Sequence, residues 1–515
     1  MASRVFSTAI VGLDSQIIEV EADVSFGLRR FDIVGLPDKA VEESKERIRS
    51  AIKACGFKPP LSQPERILIN LAPADLKKEG SSYDLPIALS YLLNNKQIKF
   101  NEQGKVFVGE LSLDGRLRPI KGALSFALIA KEKNFSEIIL PISNAEEASL
   151  GVVDSNIKNL KIIGAKTLQE VIFYLEGKKN IEPFSTNLKK VSTNTEHQVN
   201  MDWIKGQPYA KRAAVISAAG GHNLLLLGPP GGGKSLLAKA IPSILPPLDY
   251  REMLEVTKIY SAVGLLPKEK PIVSQRPFRT AHHTSSRASI VGGGNPLRPG
   301  EITLAHRGVL FLDEFPEFNR DVLEALRQPL EDGIITVMRA NQRSTFPCQF
   351  TLIAAANPCP CGHLNDPLRK CTCTSSQIAK YKRKLSGPII DRIDLTVELP
   401  RVEFEKLTST IEKGETDKKR QQVISARKIQ KQRFLDNNES ILTNSEMQAP
   451  QIKKYCQVDV AAKNLLKSCV DSGDLSARGY HRVLKIARTI ADLEQSNDVL
   501  IDHVKEALMY RLKQK

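Results

Sequence analysis

The chain has 515 residues, 41% hydrophobic and 26% charged, the balance of a globular protein too long for one core; roughly two to four domains are expected. No apolar run of about eighteen residues occurs and Met1–Val11 lacks a basic start before an apolar stretch, which argues against a membrane span or a leader and for a cytoplasmic protein. A net charge of +16 points to a polyanionic partner.

Residues 1–180 read as a self-contained α/β domain. Strands are expected over Ile17–Val24, Phe31–Val34 and Ile67–Leu71, with helices over Lys39–Lys53 and Ser82–Leu93. A hairpin of Val106–Leu113 with Leu117–Ile120 would turn at Asp114-Gly115, and further strands fit Glu137–Leu140 and Ile162–Gly164. Lys78-Glu79-Gly80-Ser81-Ser82 and the run Val108–Ile120 resemble the Lon-protease and RadA type of domain, which shares its fold with a ribosomal small-subunit protein. That resemblance implies a nucleophilic serine near Ser82 and a lysine on the following helix, but the lysine position falls on Leu124. A serine hydroxyl without a base is a poor nucleophile, so a non-proteolytic domain is expected, used for assembly or DNA guidance. Residues 181–200 are polar and read as a linker.

Residues 201–400 read as a nucleotide-binding module. Four leucines, Leu224–Leu227, make a short buried strand that empties into Gly228-Pro229-Pro230-Gly231-Gly232-Gly233-Lys234-Ser235, the phosphate-loop pattern. Glycines are needed where backbone N–H groups close on a phosphate, and the helix that follows points its N-terminus at the anion. Lys234 would reach the β- and γ-phosphates of ATP, and the Ser235 hydroxyl would sit on Mg²⁺. Val309–Leu312 is a second apolar strand; it ends in Asp313, which can hold Mg²⁺ through water, and Glu314, a general base for the attacking water. Phe350–Ala356 is a third, ending in Asn357, which either orients the lytic water or caps the turn before Pro358. Arg392 reads as an arginine finger for a neighbouring copy, with a local pair to Asp391 or Asp394 as the competing reading. Residues 401–515 read as a helical lid, with helices over Phe404–Lys413, Asp417–Phe434, Val458–Asp471, Gly479–Gln495 and Ile501–Lys513. Arg478 could contact the γ-phosphate from that lid, with Arg482 its rival.

Two stretches without acids, 271–300 with Arg276, Arg279, Arg287 and Arg298, and 367–390 with Arg369, Lys370, Lys380, Lys382, Arg383 and Lys384, favour nucleic acid over a merely solvated face. Cys359, Cys361, Cys371 and Cys373 offer four thiols for a structural Zn²⁺. Their Cys-x-Cys spacing is tighter than usual, which leaves reduced or redox thiols open. The remaining four of the eight cysteines are scattered and read as core residues.

These motifs, with Gly35–Ala40, Gly292–Pro296, Ala305–Glu314, Asn357–Gly362 and Ser476–Arg482, resemble the AAA+ family, in its magnesium-chelatase-like branch of ComM/YifB competence helicases. The resemblance covers nearly the whole chain. It implies an adenine pocket near Gln207, and a ring, a hexamer, that translocates on single-stranded, forked or branched DNA and drives branch migration in natural transformation. It also implies two inserts directed at the ring's pore, one inside Val256–Leu304 and one a hairpin of Ile334–Met338 with Ser344–Phe346. Arg298, Arg339 and Arg343 at their tips are expected phosphate contacts, sequence-independent and salt-sensitive. A chelatase-type ATPase acting with partner subunits, and a degenerate Lon-like scaffold, are the rival readings.

Overall fold

The computed structural model describes residues 3–153, 160–186, 199–267, 269–294, 297–339, 342–364, 366, 369–384, 389–401 and 414–511. By its internal contacts the chain divides into two compact units, Met1–Ser192 with Asp249–Ser274, and Thr193–Leu248 with Gln275–Lys515.

The first unit is built on a seven-stranded mixed sheet in the order Arg30–Val34, Glu65–Ala72, Asp14–Phe26, Ser3–Val11, Lys105–Phe107, Glu137–Pro141, Lys161–Ala165. Glu65–Ala72 shows why it is a strand: Ile67, Ile69 and Leu71 alternate with more exposed neighbours and are fully buried. The expected long helix is two, Lys39–Glu42 and Ser44–Ala54, because the Ser44 hydroxyl donates back to Val41 O at 2.6 Å and competes with the helical ladder. The expected hairpin is shorter. Lys105–Phe107 joins the large sheet, parallel to its neighbours, and only Glu110–Leu111 and Leu117–Arg118 pair across the Asp114-Gly115 turn.

Leu124, where a Lon-type lysine would stand, is buried in the helix Ala123–Glu132, and its N–H donates to Glu147 at 3.0 Å. The Ser81 hydroxyl donates to Glu110, and the buried Lys78 ammonium donates to Pro73 O. Burial pushes the Lys78 ammonium below its ordinary pKa.

One departure from the sequence reading concerns 249–274, which lies inside the stretch assigned to the nucleotide module. Its helix Tyr250–Val263 packs in the first unit: the Tyr250 hydroxyl donates to Leu150 O at 2.8 Å, Ser261 to the buried Glu147, and Leu254 meets Leu124 and Leu150. Asp249 and Glu252 close a capping box at its start, and Gly264, at φ 74°, ends it.

The second unit holds a parallel five-stranded sheet in the order Phe278–Ala281, Val309–Leu312, Thr351–Ala356, Leu224–Leu227, Leu395–Glu398. Strands covered on both faces need apolar side chains throughout, and every residue of Thr351–Ala356 and Val309–Leu312 is buried. The phosphate loop leaves the C-terminal end of the Leu224 strand, where α/β sheets bind ligands. Helices Glu415–Leu435, Ala449–Tyr455, Val460–Asp471, Ala477–Leu493 and Ile501–Met509 follow, and their buried faces continue the hydrophobic core of the sheet. The expected helix Phe404–Lys413, residues 187–198 of the expected linker, and the final turn beyond 511 lie outside the described residues. Among the described residues, no helix is long and apolar enough to cross a membrane.

Candidate active site and thiol cluster

Gly228 must be glycine because a Cβ there would stand 2.4 Å from Leu399 O, where the loop passes over the outer strand. Gly231 and Gly233 have φ 78° and 84°, and a Cβ on either would meet no protein atom within 4 Å. At these two positions the loop therefore borders open space, with the helix Lys234–Ala240 starting behind it, which fits a phosphate chain. The Lys234 ammonium folds across the same space, donating to Gly228 O at 2.6 Å, Pro229 O at 2.9 Å and Asn357 Oδ1 at 3.1 Å. Burial pushes its pKa down and Asp313 opposes that shift. Ser235 Oγ donates to Asp313 Oδ2 at 2.7 Å, so the two expected Mg²⁺ ligands already face one another.

Glu314 sits at φ 51°, its N–H on Asp313 Oδ1 at 2.9 Å, and its carboxylate reaches His283, with Oε2 at 3.0 Å from Nδ1. His283 carried no sequence signal: a histidine in a loop after a strand has no motif, and its partner is supplied by the next strand over. Asn357 is on Lys234, and its N–H meets the phenol oxygen of Tyr381, which is buried and pushed up to about 12 chiefly by that burial. The turn-cap reading of Asn357 thus gives way, in this geometry, to a side chain directed at the ammonium.

Gln207 precedes the helix Pro208–Gly220 at φ 58°, and its amide donates to Pro400 O at 2.6 Å. Arg392 is buried and forms an ion pair with Glu331. Arg478 and Arg482 separate clearly. Arg478 is exposed at the start of the helix Ala477–Leu493, which Ser476 caps, whereas Arg482 donates to Ile393 O at 3.4 Å and lies 3.6 Å from Asp394.

Of the four arginines in 271–300, Arg276 is spent on Pro246 O and Arg307 O, at 2.7 Å each, and Arg279 on Glu301. Arg287 and Arg298 are exposed, the latter on a short hairpin of Gly292–Gly293 with Arg298–Pro299 whose tip lies outside the described residues. The second expected hairpin forms as Ile334–Arg339 with Gln342–Pro347 and exposes Arg343; Arg339 stands opposite Gln342 at its end. The helix Ser375–Lys384 exposes Lys380, Lys382, Arg383 and Lys384 and buries Tyr381.

Cys359, Cys361, Cys371 and Cys373 converge, all four sulfurs within 4.8 Å of one another. Separations of 3.4 Å, 3.7 Å and 3.5 Å among the first three approach the roughly 3.8 Å that bonds of about 2.3 Å set between thiolates on a tetrahedral zinc. Both members of a Cys-x-Cys pair can therefore reach one ion. Backbone N–H groups of His363 and Thr372 pull the Cys361 thiol down to about 5, while the thiols of Cys371 and Cys373 beside it are pushed up. His363 turns away to Asp366, at 2.9 Å. A Cβ on Gly362 would strike Pro230 Cδ at 2.6 Å, so the thiol loop lies directly against the phosphate loop.

Comparison with known families bears on this site. Residues 200–407 match the family described as "Magnesium chelatase, subunit ChlI", residues 20–144 "Subunit ChlI of Mg-chelatase", and residues 413–511 "Magnesium chelatase, subunit ChlI C-terminal". The chain is 40% identical over 514 residues to the competence protein ComM of Haemophilus influenzae, covering 98% of this chain and 97% of that one. It is 41% identical over 512 residues to the Escherichia coli protein YifB, covering 99% and 97%. It is 25% identical over 217 residues to the magnesium-chelatase subunit ChlI of Euglena gracilis, covering 38% and 61%.

Proposed function

The chain belongs to the ComM/YifB branch of the magnesium-chelatase ChlI family, an AAA+ type of ATPase, and from that premise we propose that it is an ATP-driven DNA motor. It assembles as a ring, a hexamer, on single-stranded, forked or branched DNA and drives branch migration while incoming DNA is integrated during competence. The observation that carries this reading is the pair of hairpins, with exposed Arg298 and Arg343, inserted into two connections of the ATPase sheet. Arginine–phosphate contacts grip DNA without reading its sequence, as a motor on arbitrary DNA requires. The relative named for competence supports the biological setting.

ATP with Mg²⁺ supplies the phosphoanhydride to be hydrolysed and a cation that offsets its charge. With ATP bound, Lys234 would exchange its loop carbonyls for phosphate oxygens, Ser235 and Asp313 would hold the cation, and Glu314 would take the proton of the lytic water on a carboxylate oxygen. Asn357 orients that water, Arg478 closes from the lid, and Arg392 serves the neighbouring copy. The thiol cluster holds a structural Zn²⁺, and the N-terminal unit is a Lon/RadA-type domain without proteolytic activity. Steady-state turnover measured with and without forked DNA tests the proposal. DNA is expected to raise turnover several-fold at ~50 mM salt, and that gain to vanish by ~200 mM as counterion release weakens binding. A chelatase acting through partner subunits would show no response to DNA at either salt.

A further inference from the structure

Asn223 stands just before the strand Leu224–Leu227 and is bonded through both its backbone and its side chain. Its N–H donates to Asp394 Oδ2 at 3.0 Å, and its carbonyl accepts from Asp394 N at 3.1 Å and Leu395 N at 2.9 Å, which fastens the start of the outer strand Leu395–Glu398. The side chain has a separate task. An amide offers a donor and an acceptor on one planar group. Here Nδ2 donates to Arg392 O at 3.0 Å, while Oδ1 accepts from Leu352 N at 2.9 Å, at the start of the strand Thr351–Ala356. The turn Ile390–Arg392 is a single 3₁₀ turn, closed by Arg392 N on Ile389 O at 2.8 Å and Ile393 N on Ile390 O at 2.9 Å. The amide thus ties that short turn to the sheet at the residue from which the guanidinium leaves the chain. The strand that Asn223 opens ends in the phosphate loop, and the strand that it bonds at Leu352 ends at Asn357, whose side chain is on Lys234.

We propose that Asn223 is a positioning residue for Arg392: its amide fixes the turn from which the arginine is presented to the neighbouring copy, in register with the strands that carry the chain's own Lys234 and Asn357. The inference rests on the reading of Arg392 as a group supplied in trans. A charge offered to a transition state counts only where it is accurately held, and a misplacement of about 1 Å can cost ~100-fold. Asn223 itself touches neither nucleotide nor water; it acts through the carbonyl of Arg392.

The test is ATP turnover of the full chain for Asn223→Ala, Arg392→Ala and the double variant, with assembly followed by sedimentation. Asn223→Ala is expected to lower kcat about 10-fold with KM for ATP within about twofold, since a misplaced arginine weakens the chemical step and not binding. In the Arg392→Ala background the same change should lower kcat by less than about twofold, because the group it positions is already gone. A further 10-fold loss there would assign Asn223 to the sheet and not to the arginine. Asn223→Leu, which fills a similar volume without either amide bond, repeats the measurement should alanine loosen the sheet. An equal mixture of Asn223→Ala with Glu314→Gln decides where the residue acts. In trans, about one seam in four sets an intact base beside a well-placed arginine, so the mixture should run at about a quarter of the intact rate, above either variant alone. A residue serving its own pocket would give about half the Asn223→Ala value, and overturns the proposal. If Arg392→Ala lowers turnover and Asn223→Ala does not, the trans arginine stands and the positioning role falls; if Arg392→Ala leaves turnover intact, both fall.

Discussion

Asp394 ties the base of the ATPase sheet to the helix Ala477–Leu493. Its Oδ2 accepts from Asn223 N at 3.0 Å and lies 3.7 Å from His222 Nδ1, while Oδ1 is 3.6 Å from Arg482. Burial alone would raise this carboxyl, but His222 outweighs it, with Arg482 and Lys485, and holds the pKa at about 2. A carboxylate depressed from an unfolded value near 3.9 stabilises the fold above that value and loses the contribution as pH falls through about 2. Asp394→Asn is therefore expected to cost roughly 2 kcal/mol at pH 7, read as a lowered urea midpoint, with the gap to the intact protein closing between about pH 4 and pH 2. A constant gap over that range would show that shape and not charge is at stake. Lys234, Ser235, Asp313 and Glu314 were legible in the sequence because the phosphate loop demands glycines at fixed places and the carboxylates end an apolar run. Asp394 and His283 were not, because the partners that give them meaning come from elements far away in the chain.

Among the elements, the parallel strands were the plainest in the sequence. Leu224–Leu227, Val309–Leu312 and Leu352–Ala356 are unbroken apolar runs, as burial on both faces favours. The attachment of Tyr250–Val263 to the first unit had no signal, since an amphipathic helix does not say which core it serves. The thiol loop lies between these cases: four cysteines were countable, but only the fold brings both Cys-x-Cys pairs within 4.8 Å. Its placement links two functions. It presses Gly362 on the phosphate loop, leads into the basic helix Ser375–Lys384, and that helix returns Tyr381 to the N–H of Asn357. Replacing Cys371 and Cys373 with Ser is expected to remove about one zinc per chain, by elemental analysis, and to cut DNA-stimulated turnover more than DNA-free turnover. Normal metal content together with normal stimulation would separate the cluster from both roles.

At the scale of the whole molecule, the proposed seam asks for an arginine supplied by a neighbouring copy. Arg392 is buried against Glu331 in the helix Arg327–Asp332, and Glu331 is itself 47% exposed, so the pair stands near a surface that a second copy can share. An arginine supplied in trans predicts a pattern that no self-contained site can produce. Arg392→Ala and Glu314→Gln should each assemble and each lose at least ~100-fold in turnover alone, the first for want of transition-state charge and the second for want of a base. Mixed in equal amounts they should recover about a quarter of intact turnover, because random assembly sets an intact pocket beside an intact arginine in about one seam of four. The mixture is followed by steady-state phosphate release, with assembly checked by sedimentation. Recovery cannot arise within one chain, since every chain in the mixture lacks one of the two groups. Silence from a mixture that sediments like the intact protein would place Arg392 in its own fold, as the partner of Glu331, and would remove the arginine from the catalytic seam.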